Sequence, residues 1–122
     1  MVAASHVLTG LVAALHAYFL VLEMFLWTTP VGQKTFKRTA AEQESSKVLA
    51  ANQGLYNGFL AAGLVWSFIA EGPVAYQTRV FFLACVVVAG VYGAATAAKQ
   101  ILFVQAVPAI LALGATLAAR YA

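Results

Sequence analysis

The chain has 122 residues, of which 63% are hydrophobic and only 9% are charged. Soluble domains carry roughly a quarter of charged residues, so this composition excludes an ordinary soluble domain. It is typical of an integral membrane protein with a single domain. The net charge of +3 comes from basic residues that flank hydrophobic segments. Lipid headgroups and membrane topology explain such residues, and we expect no nucleic acid partner.

Four apolar segments have the length of about 20 residues that a helix needs to cross a bilayer. They cover residues 5–27, 48–70, 79–97 and 101–120. The polar segment 28–47 separates the first two, and Gly72 with Pro73 marks a turn before the third. The third and fourth meet at Lys99 and Gln100, so they must be antiparallel neighbours. The predicted fold is all-α: one transmembrane domain, residues 1–122, forming an up-down-up-down four-helix bundle.

Basic residues are distributed unequally between the two ends of these predicted helices. One side has only Arg79 and Arg120. The side with an excess of Lys and Arg is expected to be cytoplasmic. The loop 28–47 then lies in the cytoplasm, both termini lie outside, and the protein is a multi-pass component of the cell (inner) membrane. The residues on the positive side are Lys34, Lys37, Arg38, Lys47 and Lys99.

Small residues recur at four-residue spacing in the second and third segments, which favours close helix packing in lipid. Alanine and glycine are also common in any membrane helix, so the spacing alone does not decide the matter. Pro108 lies inside the fourth segment and predicts a kink, because its ring removes one backbone hydrogen bond. The small residues are Gly54, Gly58 and Ala62, then Ala89, Gly93 and Ala97, with Gly90, Ala94 and Ala98 beside them.

Polar side chains occur inside the apolar run 49–64 and inside the first segment. A bilayer core offers no water to such groups, so they must find partners on other helices or on a ligand. Glu23 is the one acidic residue within an apolar segment, and His16 precedes it by seven residues, on nearly the same helical face. An ionisable group at that depth indicates a functional site or a buried partner.

Helical rise places these polar side chains at similar depth, in the cytoplasmic half of the bundle, with His16 deeper. The second helix cannot turn all of its polar residues inward, so about half of them are expected to contact another subunit. The predicted ligand-binding or proton-carrying residues are Glu23, His16, Asn52, Gln53, Tyr56, Asn57, Tyr92 and Gln105.

Two interpretations of this polar layer compete. In the first, the side chains join the helices by hydrogen bonds and have no further role. In the second, they line a pocket or path for a small molecule, an ion or a proton, with proton-coupled transport as one form. We favour the second, because helix packing seldom needs an ionisable acid beside a histidine. Four short helices enclose little volume, which predicts a homo-oligomer, a dimer or trimer.

A membrane-embedded haem or metal enzyme is the main alternative, of isomerase or oxidoreductase type and acting on a lipophilic substrate. It rests on His6 and His16 as ligands, with tyrosine, amide and carboxyl groups nearby. Catalytic residues cannot be assigned, since the chain has no aspartate and no metal, nucleotide or hydrolase motif. Cys85 has no cysteine partner in the chain. A structural or accessory membrane subunit is the third alternative.

Two runs of sequence resemble domain-of-unknown-function family 1304, a family of small bacterial membrane proteins with four hydrophobic segments. These runs are LEMFLW at 22–27 and NQGLYNGFLAAG at 52–63, within the longer stretches 16–36 and 48–66. The resemblance implies the four-helix architecture and a cell-membrane location, and it implies no activity. The two runs contain five of the polar residues reached above: Glu23, Asn52, Gln53, Tyr56 and Asn57.

Overall fold

The structure, a computed structural model, describes residues 1–96 and 102–121. Within these ranges the chain is all-α and contains no strand, as the composition predicts. The helices are α1 (Val2–Met24), α2 (Pro30–Phe36), α3 (Ala40–Ile69), α4 (Pro73–Thr96), a π-helical segment (Leu102–Ala106) and α5 (Val107–Tyr121).

The helix ends differ from the predicted ones around the polar segment 28–47. α1 ends at Met24, three residues before the predicted end, and α2 occupies part of the predicted loop. α3 begins at Ala40 instead of residue 48, so the charged run before the second apolar segment continues that helix. The predicted junction at Lys99 and Gln100 lies outside the described residues.

The N-cap and the C-cap of α2 both follow from the local sequence. Thr29 precedes α2 with an extended backbone, and its side chain accepts a hydrogen bond from the Gly32 N–H. Pro30 occupies the first helical turn, where its missing N–H costs nothing. Lys37 ends α2 in the left-handed conformation, with φ 54° and ψ 46°. This left-handed residue stops α2 two residues before Thr39, and α3 begins at Ala40.

A capping box starts α3. The Glu42 N–H donates to Thr39 Oγ1 at 3.2 Å, and the Thr39 N–H donates to Glu42 Oε1 at 3.0 Å. These two bonds satisfy donors that the first helical turn would otherwise leave unpaired. They account for the start of α3 well before its apolar part.

The chain divides into two compact units. The first unit contains Met1–Ala14 and Leu60–Ala122, and the second unit contains Leu15–Phe59. The first unit has an apolar core in which α1, α3, α4 and α5 all take part. Its fully buried residues are Val12, Ala13, Leu64, Leu83, Val86, Ala109 and Ala112. The second unit contains the end of α1, all of α2 and the first two thirds of α3.

Close backbone approach joins α4 to the π-helical segment. A Cβ added at Gly90 would lie 2.7 Å from Ala106 Cβ and 2.8 Å from Ala106 N. Only glycine fits there, whereas its neighbour Ala89 is exposed. The π-helical turns end one residue before α5, whose second residue is Pro108. The predicted irregularity at this proline is therefore a change of helix type on its N-terminal side.

Three of the described helices are long and apolar enough to cross a membrane: Val2–Met24, Pro73–Thr96 and Phe103–Arg120. Only 22% to 33% of the residues in their apolar stretches are buried within the chain. Large apolar side chains such as Phe81, Val88 and Phe103 are therefore exposed. A soluble monomer rarely exposes so much contiguous apolar surface, which suggests a membrane protein.

α3 is not one of these three helices, although its 30 residues are more than long enough. The amide side chains of Asn52, Gln53 and Asn57 lower the mean hydropathy of its apolar part. The polar residues of the predicted site therefore also lower the hydropathy of α3 below that expected of a membrane-spanning helix. The predicted second crossing stays a prediction.

Candidate functional site

Glu23 lies in the last turn of α1, one residue before the helix ends at Met24. The side chain is buried, with 4% of the residue exposed. Asn57 on α3 donates a hydrogen bond from Nδ2 to Glu23 Oε1. The predicted pairing of the acid with an amide of the second long helix is therefore present in the structure, for one of the three predicted amides on α3.

Glycines on α3 make this pairing geometrically possible. A Cβ added at Gly54 would lie 2.8 Å from the Met24 side chain and 3.0 Å from Glu23 Cβ. One turn further, a Cβ at Gly58 would meet the end of the Leu20 side chain. The predicted close packing at Gly54 and Gly58 is confirmed, and it presents Asn57 to α1.

A cleft of about 360 Å³ opens beside Glu23 within the second unit. Three residues with charged or hydroxyl side chains line it, Glu23, Thr28 and Lys47, together with mostly apolar residues. Lys47 is half-exposed and forms an ion pair with Glu44 one turn earlier on α3. The other residues that line the cleft are Met24, Phe25, Trp27, Val48 and Ala51.

Trp27 forms a wall of this cleft and is fixed by three contacts. Its indole N–H donates to Ser46 Oγ at 3.1 Å, and its ring lies 4.6 Å from the Phe36 ring, centre to centre. The buried Gln43 side chain donates to the Trp27 carbonyl at 2.9 Å. The sequence indicates that the run AEQESSK at 41–47 could form a short surface helix, but it does not predict that this run continues into the second apolar helix and supplies this wall. The Thr-x-x-Glu signature at 39–42 could have indicated the helix that supplies it.

Three other predicted residues of α3 point away from the Glu23 contact. Asn52, Gln53 and Tyr56 are exposed on the described chain. Asn57 is half-buried, and the glycines beside it face α1. This division agrees with the expectation that only part of the polar set could face inward within one subunit.

His16 is fully buried in α1, and its ring packs edge-on against Phe19 at 5.3 Å between centres. Tyr92 and Gln105 belong to the first unit, whereas Glu23 belongs to the second. Tyr92 is 70% exposed, and Gln105 is half-buried on the π-helical segment. Glu23 and Asn57 are thus the predicted pair that the structure brings together, and a common layer of all eight residues stays a prediction.

The two histidines of the alternative metal or haem site, His6 and His16, lie in different compact units. His6, in the first unit, packs edge-on against Phe68 with 5.5 Å between ring centres. Residues 1–96 and 102–121 contain no group of three or more His, Cys, Asp or Glu side chains that could hold a metal ion.

The arrangement around Glu23 defines what the site can do chemically. A carboxyl group can accept a proton or bind a cation, and the adjacent amide donor fixes its orientation. Lys47 and Thr28 also line the cleft, so its lining combines charged and hydroxyl-bearing residues with apolar ones and suits a small polar or zwitterionic solute.

Comparisons with known proteins agree on one family. The profile of the family described as "Protein of unknown function (DUF1304)" matches residues 10–117. The chain is 33% identical over 109 residues to a protein of Lactococcus lactis subsp. lactis (strain IL1403) described as "Uncharacterized protein YpaA". This match covers 88% of the chain and 91% of that relative. No solved structure matches the chain. With nearly its whole length matched, the chain belongs to the DUF1304 family of proteins of unknown function.

Proposed function

We propose that the protein binds a small polar ligand or cation beside Glu23 and exchanges a proton with it, as a proton-linked membrane carrier. The observation that carries this proposal is a buried carboxyl, held by Asn57, at the edge of a polar cleft. The family assignment supplies no activity, so the proposal rests on the chemistry of the site.

A buried carboxylate is costly unless it is compensated. One neutral amide donor satisfies part of its hydrogen-bonding capacity and none of its charge. A proton or a ligand cation is therefore the natural second partner of Glu23. Glu23 lines the cleft, so such a partner can reach it from there.

The proposal includes one more membrane crossing than the three apolar helices provide. α3 crosses the bilayer as a fourth helix, so that the domain is a four-helix bundle. Its polar residues Asn52, Gln53 and Tyr56 are exposed on one chain, which supports an oligomer in which a second copy covers them. A dimer or trimer would also enlarge the enclosed volume around the cleft.

Proton flux tests this function directly. The purified protein is reconstituted into liposomes that contain a pH-sensitive dye, and sodium ions or a zwitterionic amino acid are added outside in the presence of valinomycin, so that proton movement linked to the added solute is recorded. Glu23→Gln keeps the size and the hydrogen-bonding capacity of the side chain but removes the ionisable group. We expect this variant to lower the flux to that of protein-free liposomes.

Glu71→Gln is the matched control, because Glu71 is an exposed carboxyl in the turn between α3 and α4. We expect this control to retain the wild-type flux. Wild-type flux in Glu23→Gln would contradict the proposal, and so would a wild-type protein that moves no protons.

A purely structural role is the second candidate, and it is favoured by the tight packing of Gly54 against Glu23 and Met24. Asn57→Leu distinguishes the two, since it leaves Glu23 buried without its donor. A structural role predicts a loss of stability of about 0.6 to 1.7 kcal/mol, the range of hydrogen bonds between membrane helices. It also predicts that flux is absent in every variant. Asn52→Leu, on the exposed face of the same helix, is the control.

A further inference from the structure

A second cleft, of about 240 Å³, lies within the first unit and shares no lining residue with the cleft beside Glu23. It is formed by the start of α1, the start of α4 and the end of α5. Six polar side chains line it: Ser5, His6, Tyr76, Arg79, Thr116 and Arg120. The Ser5 and Thr116 hydroxyls are hydrogen-bonded to each other at 2.7 Å. No acidic side chain is among the described residues that line it.

Arg79 is buried, with 8% of the residue exposed, and neighbours on α3 hold it in place. Its Nε donates to Ser67 Oγ at 3.2 Å, and its Nη2 donates to the Ser67 carbonyl at 3.0 Å. The guanidinium group also packs over the Phe68 ring at 4.7 Å. These bonds fix the group without using Nη1 or neutralising its charge.

Arg120 supplies the second cation of this cleft. It is exposed, and its guanidinium group lies 4.5 Å from the centre of the Tyr76 ring. A cation stacked on an aromatic face keeps its N–H groups directed outward, in the plane of the guanidinium. Arg120 is therefore held in position while its donors stay accessible.

Both cations lack an acidic partner in the part of the chain that the structure describes, where the ion pair present is Lys47 with Glu44. The first residues of α1 and the turn before α4, Val2 and Gly72, also line the cleft. Helix N-termini carry partial positive charge and add to the same potential. The last turn of α5 also lines the cleft with partial negative charge, which Arg120 in that turn offsets. Two arginines without an acidic partner, at the ends of apolar helices, therefore leave a site that favours an anion.

We propose that this cleft binds a phosphate group. Guanidinium groups match phosphate oxygens in geometry, and basic pockets at the ends of membrane helices bind phospholipid headgroups. The phosphate belongs either to an anionic phospholipid or to a soluble phosphate ester, and Arg79 and Arg120 hold it in both cases.

The test uses the full chain in nanodiscs made of equal parts phosphatidylcholine and phosphatidylglycerol, with native mass spectrometry to count the lipids retained. We expect the wild type to retain phosphatidylglycerol in preference to phosphatidylcholine. Arg120→Gln should lower that preference about fivefold, the effect of one basic residue near a membrane surface. A parallel arm measures the thermal shift produced by glycerol phosphate in uncharged detergent.

Arg38→Gln is the matched control, since it removes the same charge from an exposed residue outside the cleft. Arg79→Gln is a second variant. If Arg79→Gln fails to fold because Arg79 is buried, the exposed Arg120 still allows the test through Arg120→Gln. If the preference for phosphatidylglycerol falls in Arg120→Gln, the cleft binds a lipid headgroup. If there is no lipid preference but glycerol phosphate raises the melting temperature of the wild type and not of Arg120→Gln, the cleft binds a soluble phosphate ester. Neither effect, or an equal loss in Arg38→Gln, would overturn the proposal.

Discussion

Two buried ionisable side chains are held by neutral partners instead of opposite charges. Glu23 accepts from the Asn57 amide, and Arg79 donates to Ser67. Neutral partners orient a charged group without cancelling its charge. Each group therefore stays available to a ligand, and each lines a cleft. This shared property is why the carboxyl and the guanidinium carry the two proposals.

At the start of α3, the Thr39–Glu42 capping box makes the helix end sensitive to acid. The hydrogen bond from the Thr39 backbone N–H, followed by that with the Thr39 side chain, lowers the pKa of Glu42. A carboxyl with a lowered pKa stabilises the folded helix start above its ordinary pKa and loses that effect as the pH falls through the lowered value. We predict that the protection factors of the backbone amides at residues 42–45, taken against the unfolded-chain exchange rate at the same pH, fall in this acid range.

Glu42→Gln should remove this pH dependence and leave only the neutral cap. Glu44→Gln is the control, because Glu44 is on the same turn and pairs with Lys47 instead of the helix start. An unchanged acid response in Glu42→Gln would show that another group is responsible.

At the scale of helices, small residues decide which elements approach closely. Gly54 and Gly58 admit the side chains of α1 in the second unit, and Gly90 admits the backbone of Ala106 in the first. Gly10 and Gly114 have no heavy atom within 4 Å of an added Cβ. The sequence alone does not distinguish glycines at close helix contacts from glycines next to open space, whereas the structure does.

Gly90→Ala should destabilise the fold by about 1 to 3 kcal/mol, the usual cost of forcing extra volume into a packed contact. The added Cβ would meet backbone atoms of Ala106, which cannot rotate away. Gly114→Ala is the matched control and should be neutral or stabilising by about 0.5 to 1 kcal/mol, because alanine favours a helix more than glycine does. Unfolding of both variants by a denaturing detergent, monitored by circular dichroism, measures the difference. Equal stabilities would contradict the packing argument.

For the whole molecule, the number of membrane crossings decides the topology. Three crossings place the two ends of the chain on opposite sides of the membrane, whereas a fourth crossing by α3 places them on the same side. The distinction depends on whether residues before and after α3 face the same compartment. It determines whether Asn57 and Glu23 meet within lipid or near its surface.

We predict that Arg38→Cys and Glu71→Cys, each in a Cys85→Ala background, are labelled from opposite sides by a membrane-impermeant maleimide. Glu71→Cys should react in intact cells, and Arg38→Cys should react only after the membrane is opened. This result would follow from α3 crossing the bilayer with its positive flank in the cytoplasm. Labelling of both positions from one side would show that α3 does not cross.

Residue chemistry alone determined the all-α class and predicted four membrane-length helices, of which three are long and apolar enough in the described residues. It also identified Glu23 as a candidate functional residue. Apolar length and the rarity of charge are properties of the chain itself, so they can be counted before any fold is known. Asn57 was one of several predicted polar neighbours of Glu23, a set that also included Gln105 on another helix. The two runs that resemble the family contain Glu23 and Asn57. The charged run at 41–47 could be assigned a short surface helix from the sequence, but its continuity with the apolar part of α3 could not, although the capping box was present.

Tertiary structure alone decided which amide meets Glu23 and which ones are exposed. Neighbouring positions on a helix differ by about 100° in direction, so the choice among Asn52, Gln53 and Asn57 depends on where α1 packs. That position depends in turn on Gly54 and Gly58, whose missing side chains matter only once a second helix is present. The cationic cleft likewise joins residues more than 100 positions apart, such as His6 and Arg120, which no local pattern relates.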